Sequence, residues 1–289
     1  MARTYNDIYI ETRRALRDAN IEGYALEAKL IVAQAAGKTT AQLLRDLHLY
    51  VPDELYKSAR EMTRRRLTGE PVAYVTGGWE FCGVPLVITP DVLIPRGDTE
   101  LMADEAVRLF SGRTGTPRIL DLCAGSGCIG CALAVRMPGA KVTLVDISPA
   151  ALAVAGQNVA KNNLGTRVSC LSADATAKPP MYLGRFDLIV CNAPYIPTAE
   201  LSALDPSVRK YEPYRALDGG ADGLDVIRPV IALWSAVLRP GGTMMLEICE
   251  GQYPAVKALL EQAGYDSVRA VQDPGGTDRV VVARYTRNA

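Results

Sequence analysis

Between residues 1 and 70, apolar side chains recur among charged ones, mostly at helical spacing: Ile8, Ile10, Leu16, Leu26, Leu30, Val32, Leu43, Leu44, Leu47, Leu55, Met62 and Leu67. Gly23, Gly37 and Pro52 punctuate the pattern, and Thr39 or Thr40 is placed to cap the third helix. The expected product is a small bundle of about four helices. From Tyr74 to Pro95 the character changes. Val72, Tyr74, Val75, Trp79, Phe81, Val84, Leu86, Val87 and Ile88 are β-formers, broken by Gly77, Gly78, Gly83 and Pro85, which predicts a short hairpin joining two domains. From Arg118 onward, strand and helix patterns alternate. The predicted strands are Arg118–Cys123, Lys141–Asp146, Arg167–Ser172, Phe186–Asn192, Gly242–Ile248, Ser267–Gln272 and Arg279–Arg284. Near-continuously apolar strands such as FDLIVCN belong in a sheet covered on both faces. The pattern is that of an α/β fold with a doubly wound, mostly parallel, seven-stranded sheet. The expected division is a helical domain at 1–72, a hairpin linker at 73–95 and an α/β domain at 96–289.

Composition narrows the function classes. With 48% apolar and 22% charged residues, the 289-residue chain can bury a full core. Lys+Arg 32 balance Asp+Glu 32, which argues against coating nucleic acid by bulk charge. No run approaches the roughly 18 apolar residues of a membrane span, and the opening MARTYNDIYIETRR lacks the apolar core of a signal peptide. Seven cysteines make no disulfide framework, and Cys123, Cys128 and Cys131 lack a second ligand pair for zinc; they read as small buried thiols. The odd count and the absence of a signal peptide place the chain in a reducing cytoplasm. The lone His48 has no acid partner in sequence and reads as an ordinary histidine. Arg64-Arg65-Arg66 reads first as a solvated helix face, with contact to an acidic partner or to RNA as the alternative.

The stretch RILDLCAGSGCIGCALAV is a strand, a tight turn and a helix. Gly125 and Gly127 let the backbone turn sharply and approach a ligand. Asp146 ends the next strand roughly twenty residues on, where an acid can accept hydrogen bonds from ribose hydroxyls. Gly125, Gly127 and Gly130 also satisfy G-x-G-x-x-G, so a nicotinamide dinucleotide and S-adenosylmethionine are both compatible with this turn.

A second signature separates them. FDLIVCNAPYIP ends a strand at Asn192, followed by Ala193, Pro194 and Tyr195. In open α/β sheets ligands bind beyond the carboxyl ends of the strands, which places Asn192 on the same edge as Gly125. The Asn192 side chain offers a neutral carbonyl acceptor and Tyr195 a flat face. These suit a planar NH₂ group better than a hydride donor.

On these residues the chain resembles the N5-glutamine methyltransferases of peptide chain release factors, the PrmC/HemK family. That family carries Asn-Pro-Pro-Tyr where this chain has Asn192-Ala193-Pro194-Tyr195. GEPVAYVTGGWEFCGVPLVITPDVLIPRGDTE resembles its linker, DLCAGSGCIGCALA its cofactor loop, and VDISPAALAVAGQNVAKNNL, RPGGTMMLEICEGQ and DPGGTDRVVVAR match further segments. The likeness covers essentially the whole chain. The tetrapeptide alone is shared with enzymes that methylate adenine or guanine amines; IPRGDTE and the helical leader narrow it to the glutamine enzymes.

The resemblance implies a Rossmann-like class I methyltransferase fold and S-adenosyl-L-methionine as cofactor, held by Cys123, Ala124, Gly125, Ser126, Gly127, Asp146 and Asn192, with Asp174 and Ala175 at the adenine. It implies that Asn192 Oδ1 and the Ala193 carbonyl bind the substrate amide, that Pro194 and Tyr195 complete that site, and that Tyr195 walls the amide. It implies a leader that grips a release factor so that the glutamine of its Gly-Gly-Gln loop enters the site, with no stable nucleic-acid partner and no metal. Three departures stand out. Ala193 replaces the first proline, Gly97 replaces the proline after Ile94-Pro95-Arg96, and Cys123-Ala124 replaces Gly-Thr. Ala193 precedes Pro194, which keeps it out of the helical region, but its φ is no longer locked and an N–H appears. The rival readings are methylation of an exocyclic amine in DNA or RNA, a nicotinamide oxidoreductase that leaves residues 192–195 unexplained, and S-adenosylmethionine binding without transfer.

Overall fold

A computed structural model of the chain describes residues 3–112 and 115–286; residues 1–2, 113–114 and 287–289 lie outside that description. Two compact units emerge: Met1–Gly78 with Asp205–Tyr211, and Trp79–Leu204 with Glu212–Ala289.

The first unit is helical: α1 (Tyr5–Asp18), α2 (Tyr24–Ala35), α3 (Thr40–Arg45), α4 (Asp53–Leu67) and α5 (Val72–Thr76). Capping boxes start two of them. Thr4 Oγ1 accepts the Asp7 N–H at 3.2 Å while Asp7 accepts the Thr4 N–H at 2.8 Å. Thr39 and Gln42 repeat the exchange at 3.1 and 2.8 Å ahead of α3. The apolar faces meet at Tyr5, Ile8, Val32, Leu43 and Ala59. A short strand pair, β1 (Arg3–Thr4) with β2 (Tyr50–Val51), ties the unit's start to its middle. Val72–Thr76 is helical despite its β-forming composition: Pro71 opens the turn and Gly77, at φ 68°, closes it. The arginine run is neutralised within the unit. Arg64 pairs with Glu61 at 2.6 Å, Arg65 with Glu70, and Arg66 with Glu27 at 2.6 Å. His48 is exposed.

The second unit opens on a hairpin, β3 (Gly78–Phe81) and β4 (Val84–Val87), followed by helix α6 (Gly97–Phe110). Gly97 is the first residue of α6, the position where proline is also well tolerated. The main sheet comprises β5 (Arg118–Leu122), β6 (Lys141–Asp146), β7 (Val168–Ser172), β8 (Phe186–Cys191), β9 (Leu238–Glu247), β10 (Tyr265–Gln272) and β11 (Asp278–Tyr285). Their order is β10-β11-β9-β8-β5-β6-β7. Strands β5 to β9 run parallel, and β11 lies antiparallel between β9 and β10. Helices α7 (Cys128–Arg136) and α8 (Pro149–Lys161) follow β5 and β6. Alternate residues of the strands, among them Leu120, Leu122, Ile189, Cys191, Met244 and Leu246, form one core with Ile227, Trp234, Val256 and Leu260. The chain runs outward from β5 through β6 to β7, then returns to β8 on the other side. The order therefore reverses between β5 and β8, where open α/β sheets hold their ligands.

A buried amide ties the hairpin to α8. Asn158 of α8 accepts the Val87 N–H at 2.6 Å and donates to the carbonyls of Val87 at 3.0 Å and Ser126 at 2.9 Å. The link passes directly to the glycine turn after β5.

Candidate active site

Leu122 of β5 and Cys191 of β8 are register partners, so Cys123 and Asn192 leave the sheet side by side. The turn from 123 to 127 uses left-handed backbone three times, at Cys123 (φ 55°), Gly125 (φ 54°) and Gly127 (φ 74°). Cys123 occupies a conformation that disfavours any Cβ, which accounts for glycine at this place in the motif it resembles. Asp146 holds the turn in shape. Its Oδ2 accepts the Gly125 N–H at 2.8 Å and its Oδ1 accepts the Ser148 N–H at 2.9 Å. Each carboxylate oxygen has a second lone pair, so Asp146 keeps capacity for two incoming hydroxyls.

Below the turn lies Asp121, 1% exposed, which accepts the Gly130 N–H at 2.8 Å and so fastens the first turn of α7 to β5. Burial, aided by the nearby Asp146 charge, pushes its carboxyl up to about 7 against the pull of that N–H. Sequence reasoning passed over Asp121, although an acid inside the apolar run ILDLC was a usable signal.

A cavity of about 500 Å³ opens over these strand ends, within the range of roughly 300–1,000 Å³ typical of small-ligand sites. Of the residues singled out from sequence, Cys123, Ala124, Gly125, Ser126, Asp146, Asp174, Ala175, Asn192 and Pro194 line it. Gly127, Ala193 and Tyr195 do not. The wall at Asp174–Thr176 is built by two contacts. Trp234 Nε1 donates to the Ala175 carbonyl at 2.9 Å, and Asp174 accepts the Thr176 N–H and hydroxyl, both at 2.7 Å. Those two donors hold the Asp174 carboxyl below the ordinary range. Among the lining residues that sequence reasoning missed are Asp91–Leu93, Thr99 and the turn Pro213–Ala216.

The loop after β8 is fixed from behind. Asn192 Nδ2 donates to Thr99 Oγ1 at 3.3 Å. Ala193 is 2% exposed and packs into the core. The Tyr195 hydroxyl donates to Glu247 Oε1 at 3.2 Å, and the Tyr195 carbonyl accepts Gln252 Nε2 at 2.9 Å. A Cβ at Gly223 would lie 2.1 Å from that carbonyl, so only glycine allows the segment after 218 to close on the loop. The Tyr195 ring is half-buried against the sheet core and its hydroxyl turns to β9. Arg96 of the IPRGDTE segment pairs with the buried Glu212, which also accepts the Ile94 N–H at 3.2 Å. That segment therefore braces the rim of the cavity.

The donor set fits S-adenosylmethionine. Asp146 keeps acceptor capacity of the kind a ribose diol needs, Asp174–Thr176 offers a turn with one acid beside apolar Ala175, and the Gly125 turn leaves room for close backbone approach. Five parallel strands, an antiparallel edge pair and a ligand cavity at the order reversal define a Rossmann-like class I methyltransferase, with S-adenosyl-L-methionine as its cofactor.

The comparisons with known proteins agree and go further. A family model described as the PrmC N-terminal domain matches residues 7–77, and one described as the methyltransferase small domain matches 103–204. The release factor glutamine methyltransferase of Geobacter sulfurreducens is 40% identical over 273 residues, covering 94% of each chain. That of Caulobacter vibrioides is 38% identical over 267 residues, covering 92% of this chain and 91% of the other. A solved methyltransferase from Pyrococcus furiosus shares the fold at a TM-score of 0.51 and 18% identity, over 78% of this chain and 99% of that one. The chain belongs to the release factor glutamine methyltransferase family. Among the described residues, no helix is long and apolar enough to cross a membrane.

Proposed function

We propose that this protein methylates the side-chain amide nitrogen of a release-factor glutamine, that of the Gly-Gly-Gln loop, and that Asn192 and Ala193 bind the amide. The observation that carries the reading is Asn192 at the cavity wall beside the cofactor turn, with its NH₂ group engaged by Thr99 and its oxygen left for a substrate. When bound, S-adenosylmethionine supplies an electrophilic sulfonium methyl. An amide nitrogen is a weak nucleophile because its lone pair is delocalised, so the protein's task is placement. Asn192 Oδ1 and the Ala193 carbonyl accept the two amide hydrogens. They orient the nitrogen and favour positive charge developing there, a preorganised electrostatic contribution.

We assign the helical unit the docking of the release factor. The paired arginines of α4 leave no free basic run there for RNA, which favours a protein partner. We place the activity in the cytoplasm, in keeping with the seven free thiols. The test is transfer of labelled methyl to purified release factors in competition with DNA and RNA. Label in the protein fraction supports the reading, and label in nucleic acid replaces it with the amino-methylation of bases. In the same assay a chain beginning at Trp79 should keep cofactor affinity but transfer to whole release factor about tenfold less efficiently, the worth of roughly 1.4 kcal/mol of lost docking. An unchanged rate would assign the helical unit another purpose.

Ala193→Pro should hold or raise turnover. Pro194 already keeps residue 193 out of the helical region, and a proline ring fixes φ while narrowing the unfolded ensemble, by roughly 0.4–1 kcal/mol. Single-turnover transfer by the two proteins decides it. Loss of transfer with the fold intact would withdraw Ala193 from its role.

A further inference from the structure

We propose that Glu247 and Thr99 are positioning residues that set which end of the Asn192 amide meets the substrate. The inference rests on the reading that Asn192 Oδ1 accepts from the substrate amide. An asparagine amide has nearly the same shape either way round, so its neighbours decide between oxygen and NH₂ at the reacting nitrogen.

The neighbours are ordered by proton polarity. Thr99, 1% exposed, is the third residue of α6, and its hydroxyl accepts from Asn192 Nδ2 at 3.3 Å. A hydroxyl has a single proton to give. Glu247, 2% exposed at the end of β9, faces Thr99, Asn192 and Tyr195 together. Its Oε1 takes the Tyr195 proton at 3.2 Å, and its Oε2 makes no hydrogen bond among the described residues. An ionised carboxylate only accepts. Its charge therefore attracts both the Thr99 proton and the Asn192 NH₂ group, and the Thr99 oxygen receives that NH₂ group. Asn192 Oδ1 is thereby turned to the substrate.

A protonated Glu247 reverses the chain. It can donate to Thr99, which frees the Thr99 proton to bond the Asn192 oxygen and so favours the opposite amide orientation. The NH₂ group would face the substrate amide, donor against donor. Burial, with the Asp98 charge, pushes Glu247 up to about 7, while Thr99, Tyr195 and Asn192 hold it down. The charged groups around it are Asp98 at the start of α6 and Arg279 of β11, which pairs with Asp98 at 3.3 Å; Tyr195 is held far above its ordinary value by burial and stays a donor. The ionised, productive form gains as pH rises through about 7. Asp121 titrates in the same window beneath the cofactor turn, so the Glu247 contribution is the part that a Glu247 variant removes.

The experiment is single-turnover methyl transfer to a release factor between about pH 6 and about pH 8.5, with substrate concentration varied at each point. The native protein should lose up to about tenfold in rate per pH unit below the transition. Glu247→Gln should be slower by about 10- to 100-fold at the plateau, with a flattened profile and a KM within about twofold, since binding contacts survive and orientation does not. Thr99→Val should show the same loss, and Thr99→Ser should restore both rate and profile. Native rate and native profile in Glu247→Gln and Thr99→Val would overturn the inference, as would a Thr99→Ser protein as damaged as Thr99→Val. Absence of transfer by the native protein would remove the functional reading and this inference with it; transfer by the native protein with indifferent variants removes this inference alone.

Discussion

Asn192→Ala should lower turnover by about 10²–10³-fold, by analogy with deleting one preorganised donor or acceptor at a reacting centre. Of the four residues from 192 to 195, Asn192 alone supplies a directed side-chain acceptor at the cavity wall. Ala193 contributes only its backbone, Pro194 lines the cavity without a polar side-chain atom, and Tyr195 spends its hydroxyl on Glu247. Cofactor affinity should move much less, because Asp146 and the Gly125 turn are untouched. Rapid-quench transfer measured beside calorimetric cofactor titration separates the two. Equal losses in turnover and in cofactor affinity would make Asn192 a cofactor residue first.

Asp146→Ala should weaken S-adenosylmethionine binding by about 1–3 kcal/mol, the usual cost of losing hydrogen bonds to a charged group. That is about 5- to 150-fold in Kd. Two effects combine here. The variant removes the acceptor for ribose hydroxyls, and it frees the Gly125 and Ser148 N–H groups that now converge on the carboxylate at 2.8 and 2.9 Å. Calorimetry on the folded variant reads the sum, and unchanged affinity would contradict the ribose assignment.

What was legible in the sequence was whatever leaves a local pattern. The strands of the main sheet announced themselves as apolar runs, and β6 keeps its predicted bounds, Lys141–Asp146. The glycine turn, the acid ending the next strand and Asn192 ending β8 each sit at a spacing that chemistry fixes. Long-range closure was not legible. Pro206–Tyr211, read as part of the α/β region, belongs to the compact unit of the leader, where the Tyr211 hydroxyl donates to the Thr68 carbonyl at 3.1 Å. Side-chain direction in a loop has no period, so Tyr195 could not be seen turning to β9. Val72–Thr76 shows local capping overriding strand propensity. Asp121 and Glu247 carried a signal that went unused: each is an acid in an apolar strand, and each is held at the sheet's ligand edge near neutrality by burial.

The central claim is that one amide nitrogen of a release factor receives the methyl group. Mass spectrometry of a release factor incubated with this protein and S-adenosylmethionine, read at the peptide carrying Gly-Gly-Gln, tests it most directly. The account predicts a single added methyl on the glutamine side-chain nitrogen, absent when Asn192→Ala replaces the native protein. A methyl on any other residue, or an unmodified glutamine alongside methylated nucleic acid, would contradict it.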